Sequence, residues 1–446
     1  MSMKQCTKME NYHHSIWLIS MVKNLLKSIP MMRVLVNKLR RFIKFININF
    51  YIAVAGFFHF FELKRVRKKL FNGKKIDVIF LVMEKSVWKT DLIFQGMEKD
   101  SRYNPCIVVI PRINATNILE NAENTYKYFK EKGYKTRISY SNGNWQKLES
   151  ISNIDIVFFS NPHQISLPQY LISSLYKKLS CYVPYFEQID TNYEGHFNGV
   201  TENLCWKVFQ INDIHKNIAL KYAFNRGRNI DVVGYPATEP LYNSTKIKFT
   251  PWKENSLKKI IIAPHHSIAN SSPLANATFL ETAETLQTLP ALFKHSVCFA
   301  FKPHPMLKEK LYKHPDWGVN KTDLYWHFWS TQENTQFEDA DYIDLFKTSD
   351  AMIHDCSSFI IEYLYVKKPC LYLNSNIRNG LNEYGKIGYD AITKAKNNED
   401  IIEFVKSVVD ETATPPQYSS EVNLIPRESP TKKIMTILNA EIECGK

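Results

Sequence analysis

From residue 76 onward, short apolar runs alternate with stretches of helical spacing. Runs at 77–83 (DVIFLVM), 105–110, 135–139, 155–159, 181–183, 204–211 and 230–233 read as strands. Apolar runs of this length, bounded by turn residues, mark strands buried on both faces. Residues 85–99, 121–132 and a stretch ending at Tyr222 read as helices between them. A polar, aperiodic segment with Pro240 and Pro251 then interrupts the pattern. A second series follows, with strands at 258–263, 297–302, 351–354 and 370–373. Its helices are expected at 278–286, 341–347, from Phe359 onward, and at 399–410. Strand–helix alternation predicts an α/β fold with mostly parallel sheets and helices on both faces. Two Rossmann-like domains facing a cleft are therefore expected, over residues 76–240 and 258–446, joined by 241–257. Such folds bind ligands at the carboxyl ends of their strands.

The first 75 residues follow another rule. Residues 15–44 mix apolar and basic positions at helical spacing, interrupted at Pro30. The run from 45 to 61, FININFYIAVAGFFHFF, carries no Lys, Arg, Asp or Glu. At that length it sits at the lower edge for a membrane span. It reads as an interfacial or re-entrant anchor, with the basic residues meeting anionic lipid.

Charge sharpens this division. Residues 1–75 hold 16 basic and two acidic residues, whereas 76–446 hold 41 basic and 42 acidic. The net charge of +13 thus sits on the front, and the neutral body offers no basic groove for nucleic acid. No G-x-G-x-x-G or G-x-x-x-x-G-K-[ST] motif occurs, which removes the main support for dinucleotide or Walker-type binding. Eight cysteines without a C-x-x-C pair suggest reduced thiols rather than disulfides or a zinc site. No metal and no cofactor are expected.

Candidate chemistry gathers where strands of the second half end. His265, His266 and Ser267 follow one strand, Lys302 and His304 a second, and His354, Asp355, Ser357 and Ser358 a third. If the strands are neighbours, the clusters meet. Lys302 would neutralise a diphosphate, and His304 would donate to a phosphoryl oxygen or leaving group. Ser357 and Ser358 open a predicted helix, whose free N–H groups and dipole suit a phosphate. Glu362, one turn further on, would accept from ribose hydroxyls. In the first half, the strand end YVPYFEQIDTNYEGHFNG offers Glu187, Asp190 or His196 to activate an acceptor hydroxyl. Glu187 ranks first, because it lies nearest the strand end.

KPHP at 302–305, then SDAMIHDCSSFIIEYLYVKKPCLYL at 349–373, resembles the CDP-glycerol glycerophosphotransferase family of teichoic-acid primases and polymerases. The likeness covers about residues 258–410. It rests on Lys302, Pro303, His304, Pro305, Ser349, Asp350, Asp355, Ser357, Ser358, Glu362, Tyr363, Lys368 and Pro369. The resemblance implies a GT-B fold and a nucleotide-activated, CDP-linked polyol phosphate donor held by the second half. His304 and the Ser357–Ser358 segment would bind its phosphates. The family's histidine-glycine pair in the first half has no counterpart here, which leaves the base open.

The expected function is transfer of a polyol phosphate to a hydroxyl of a lipid-linked or surface glycan. The place expected for it is the cytoplasmic face of a bacterial inner membrane. A nucleotide-sugar glycosyltransferase and a non-catalytic assembly partner are the alternatives.

Overall fold

The computed structural model describes residues 30–243, 247, 250–268, 277–339, 342–373, 380–417 and 428–443; for 30–45 only the backbone is described. The basic stretch at 15–29 lies outside the described residues.

Seven parallel strands build the first sheet: β1 (Ile76–Val82), β2 (Tyr103–Val109), β3 (Thr136–Ile138), β4 (Ile156–Phe159), β5 (Leu179–Tyr182), β6 (Lys207–Gln210) and β7 (Ile230–Val232). Their order is β3-β2-β1-β4-β5-β6-β7. Six parallel strands build the second: β8 (Lys258–Ala263), β9 (Val297–Phe301), β10 (Thr335–Phe337), β11 (Ala351–His354), β12 (Cys370–Tyr372) and β13 (Thr393–Lys394). Their order is β10-β9-β8-β11-β12-β13. Both sheets run outward from their first strand in both directions, the doubly wound arrangement whose switch point lies between the first and fourth strands. The inner strands β1, β2 and β9 are buried on both faces along almost their whole length.

One 42-residue helix, α1 (Pro30–Phe71), begins at Pro30 and carries the apolar anchor within it. At 1.5 Å per residue it is about 63 Å long. From Ile48 it is no free appendage. Ile48, Ile52, Ala55, Leu63, Val66 and Leu70 follow helical spacing along one face and join the packing of the first sheet. The opposite face leaves Ile46, Phe50, Phe57, Phe60 and Phe61 at least half exposed. The segment Ile46–Phe71 is long and apolar enough to cross a membrane, but its inward face is committed to protein.

A buried carboxylate fastens the helix. Asp155, just before β4, accepts from Arg65 at 2.8 Å, from the Asp77 amide at 2.7 Å and from Lys69. Lys69 also reaches Asp77 at 2.7 Å.

The final helix, Pro430–Glu443, assigned from sequence to the second half, packs on the first sheet instead. Ile434, Leu438 and Ile442 join Val66, Ile93 and Phe94 in one apolar cluster. Arg67 donates to the Glu441 carbonyl at 2.8 Å, and Tyr103 to Asn439 at 2.6 Å. The chain thus returns to the lobe it started from.

The lobes are stitched at 187–191 and 380–385. Asn382 donates to the Ile189 carbonyl from its amide and to the Gln188 carbonyl from its side chain, at 2.8 and 2.7 Å. The Thr191 amide donates to the Gly380 carbonyl at 3.0 Å. Gly385 permits this approach, since a Cβ there would lie 2.4 Å from the Ile189 carbonyl oxygen.

Candidate active site

The register of the second sheet decides what meets what. Ala263 of β8 pairs with His354 of β11, and Ile262 pairs with Phe301 of β9. The loops after these three strands therefore leave at one edge, across the switch point. Asp355 binds them together. Its Oδ1 accepts from the His265 amide at 2.5 Å, and its Oδ2 from the Thr278 amide at 2.7 Å and hydroxyl at 3.2 Å. The His304 amide donates to the Pro264 carbonyl at 2.9 Å.

Three imidazoles consequently cluster. The His265–His266, His265–His304 and His266–His304 ring centroids are 4.3, 5.0 and 4.1 Å apart. Their nitrogens lie within 4.8 Å of one another, close enough to hold a metal ion. Ser267 Oγ sits 2.8 Å from His265 Nδ1, and Lys310 Nζ sits 2.8 Å from His266 Nδ1. Burial, then the neighbouring imidazoles and Lys310, lower His304 to about 2. Burial lowers His265 to about 3 and His266 to about 4, with Lys310 adding to both. All three rings are neutral at neutral pH and present one N–H donor each. Lys310 and Thr278 were not singled out from the sequence. The helix Met306–Tyr312 that carries Lys310 was legible as Leu307 and Leu311, four apart and both buried.

Other expected donor ligands are placed elsewhere. His354 is fully buried, with Nδ1 2.9 Å from the Cys356 carbonyl and its ring against Tyr372, so it shapes the turn rather than the cleft. Asp355 is equally buried and serves the backbone amides, so it organises the loops and leaves no free oxygen for the donor. Lys302 follows β9 with its charge felt by Glu338, beyond the end of β10. Glu362 is buried, with Oε2 unpaired, near Lys89 and Tyr342. Ser357 and Ser358 lie half-buried at the turn, where the helix is shorter than expected. One α-turn, Phe359–Glu362, passes into a 3₁₀ turn, Tyr363–Val366, ending at Lys367 with φ 57°. A helix that short carries little dipole to offer an anion.

Across the seam, Glu187 is fully buried, 3.4 Å from the Tyr365 hydroxyl. Burial and nearby Glu362 push its carboxyl up to about 8. Burial thus favours the protonated carboxyl over the ionised form that a base needs. The unfolded carboxyl ionises lower, so this group's contribution to stability is full below the unfolded value and lost as pH rises toward 8. Glu187→Gln is expected to flatten the fall in melting temperature between about pH 5 and 8. An equally steep fall in the variant would show that this carboxyl does not titrate as described.

Asp190 and His196 form a better-placed pair. His196 Nε2 lies 2.9 and 3.0 Å from the two Asp190 oxygens. Burial opposes ionisation of Asp190, but the His196 hydrogen bond and charge hold it below the usual carboxylate range. An imidazole with Nε2 held by a carboxylate has Nδ1 as its basic nitrogen. Asp190 also forms a β-bridge with Leu381, which places the pair at the seam between the lobes. All six described cysteines are free and buried.

Two doubly wound lobes with a polar cluster beside the second lobe's switch point make a GT-B-like fold. Residues 201–415 match the model of the CDP-Glycerol:Poly(glycerophosphate) glycerophosphotransferase family, a span that takes in the end of the first lobe and most of the second. Among solved structures it is similar to a variant of the wall teichoic acid polymerase TagF, at 12% identity and TM-score 0.54, covering 86% of this chain and 97% of that one. The same polymerase soaked with CDPG aligns at 14% identity and TM-score 0.51, with the same coverage. A putative UDP-N-acetylglucosamine 2-epimerase from Listeria monocytogenes aligns at 16% identity and TM-score 0.53, covering 83% of this chain and 98% of that one. At such identities the likeness is one of fold. No curated protein sequence matches the chain significantly.

Proposed function

We propose that this protein transfers glycerol phosphate from CDP-glycerol to a hydroxyl of a bacterial surface glycan, working at the cytoplasmic face of a membrane. The observation that carries this reading is the meeting of His265, His266 and His304 at the carboxyl ends of β8 and β9, beside the switch point of the second sheet. Neutral imidazole N–H groups in a partly dry site suit the oxygens of a diphosphate. They strengthen as charge moves toward the leaving group. In the reaction, the acceptor oxygen bonds to the phosphorus that bears glycerol. The bond from that phosphorus to the oxygen of CMP breaks, and CMP leaves with the electron pair. His196 takes the acceptor's proton at Nδ1, with Asp190 holding the ring and balancing its charge. Positioning and charge stabilisation account for the catalysis.

The exposed face of α1 suits a lipid-linked acceptor. Ile46, Phe50, Phe57, Phe60 and Phe61 form an apolar surface, with Lys64 over the Phe60 ring and Lys177 over the Phe58 ring. An aromatic surface edged by lysines is the composition of an interfacial helix on anionic lipid. With its other face packed on the first lobe, α1 lies along the membrane rather than across it.

One assay series tests the reading. Purified protein with CDP-glycerol and a lipid-linked glycan acceptor is expected to release CMP, faster with anionic vesicles than with neutral ones. His196→Ala should lose CMP release while keeping the thermal shift given by CDP-glycerol. Stabilisation by UDP-sugars but not by CDP-glycerol would replace this reading with a glycosyltransferase. Equal rates on both kinds of vesicle would remove the membrane role.

A further inference from the structure

The three-histidine cluster admits two opposite occupants, a divalent cation or an anion, and the hydrogen bonds on its outer nitrogens decide between them. His304 Nδ1 accepts the Met306 backbone N–H at 3.1 Å. His266 Nδ1 lies 2.8 Å from Lys310 Nζ. A backbone N–H is always a donor, and a lysine ammonium has three donors and no acceptor. Both Nδ1 atoms must therefore be bare, and in a neutral ring the proton then sits on Nε2. Burial lowers Lys310 from its usual value, though the side chain is only partly buried.

We propose that Lys310 is the positioning residue that sets this cluster for phosphoryl oxygens and against divalent metal, by locking His266 with its proton on Nε2. The inference rests on the transferase reading for the identity of the anion, but not for the sign of the site. Metal coordination through Nε2 would move each proton to Nδ1, donor against donor, at Met306 in one ring and Lys310 in the other. Coordination through Nδ1 would strip those donors of their acceptor and set the metal beside an ammonium. An anion meets neither obstacle. Two Nε2–H groups on rings 4.1 Å apart, with a cation behind one of them, suit adjacent oxygens of a diphosphate. Lys310 lies six residues beyond His304, on the short helix Met306–Tyr312. The same helix start therefore sets both rings: its first amide fixes His304, and its lysine fixes His266.

The test uses the full chain with 15N-labelled histidine. Nitrogen NMR of the ligand-free protein is expected to show His266 and His304 as Nε2–H tautomers. Lys310→Met should release His266 into a mixture and leave His304 unchanged. By calorimetry, Lys310→Met should weaken inorganic pyrophosphate at least about tenfold, as loss of one charge-assisted hydrogen bond would. Lys310→Arg, which keeps the donor, should restore most of the affinity. A His266 proton on Nδ1 in the free protein would overturn the inference, as would unchanged pyrophosphate binding in Lys310→Met. So would Co2+ taken up with a visible absorption band that His304→Ala removes. Correct tautomers and pyrophosphate binding without CMP release from CDP-glycerol would leave the inference standing and defeat the proposed function instead.

Discussion

His304→Ala is expected to abolish glycerophosphate transfer while leaving the protein folded. The ring contributes an Nε2–H to the phosphate cradle, and His266 packs against it at 4.1 Å between centroids. Removing one preorganised donor at a developing charge typically costs about 10²–10³ in kcat. Here the loss should be at the upper end, because the short turn at Phe359–Glu362 supplies little dipole to compensate. The structural cost is small. Met306 loses the acceptor for its amide at the start of a seven-residue helix, which is worth about 1 kcal/mol, as for a lost cap. His304→Gln, which retains an N–H, should recover part of the donor affinity. CMP release and thermal denaturation, measured side by side, check both claims. Wild-type turnover in His304→Ala would mean that the cluster is not where the donor's phosphates sit.

Asp155→Ala should be the most damaging single change to stability. The carboxylate is 2% exposed and accepts from Arg65, Lys69 and the Asp77 amide at once. Truncation leaves Lys69 and the Asp77 amide without that partner, near the start of the central strand β1. Breaking a buried ionic network by removing one member costs about 3–5 kcal/mol. Asp155→Asn keeps two acceptor lone pairs and should cost less. The loss should also loosen α1, since Arg65 and Lys69 both belong to it. Urea denaturation would measure the first effect, and the rate of proteolysis between Phe71 and Ile76 the second. A loss below about 1 kcal/mol would place the network among surface ion pairs of little weight.

These two residues differ in how far their sequence announces them. His304 stands in KPHP at the end of an apolar run, so its strand and its place at the strand's end follow from local pattern. Asp155 stands before a strand like many other polar residues. Its partners lie 78 to 90 positions away, and nothing local points to them. The same divide explains the misplaced ligands. Asp355 carries the family pattern, yet its side chain serves His265 and Thr278 rather than the donor. Motif spacing gives the backbone position, whereas the direction of the carboxylate depends on which loops lie beside it. Glu187 was preferred for its distance from a strand end. Its burial at the seam, beside Tyr365 of the other lobe, is a property of both halves together.

The amino-acid sequence alone determined two series of buried parallel strands, the basic apolar front, and the polar clusters after β8, β9 and β11. All of these arise from patterns within a few residues, such as strand-length apolar runs, helical spacing and local charge. Tertiary structure alone decided that α1 and the last helix both pack on the first lobe, since a protein interior and a lipid core select the same apolar side chains. It also decided that Lys310 faces His266 and that Asp190 meets His196 at the lobe seam. Those contacts depend on strand order, loop course and the approach of two lobes, none of which any short stretch of the chain encodes.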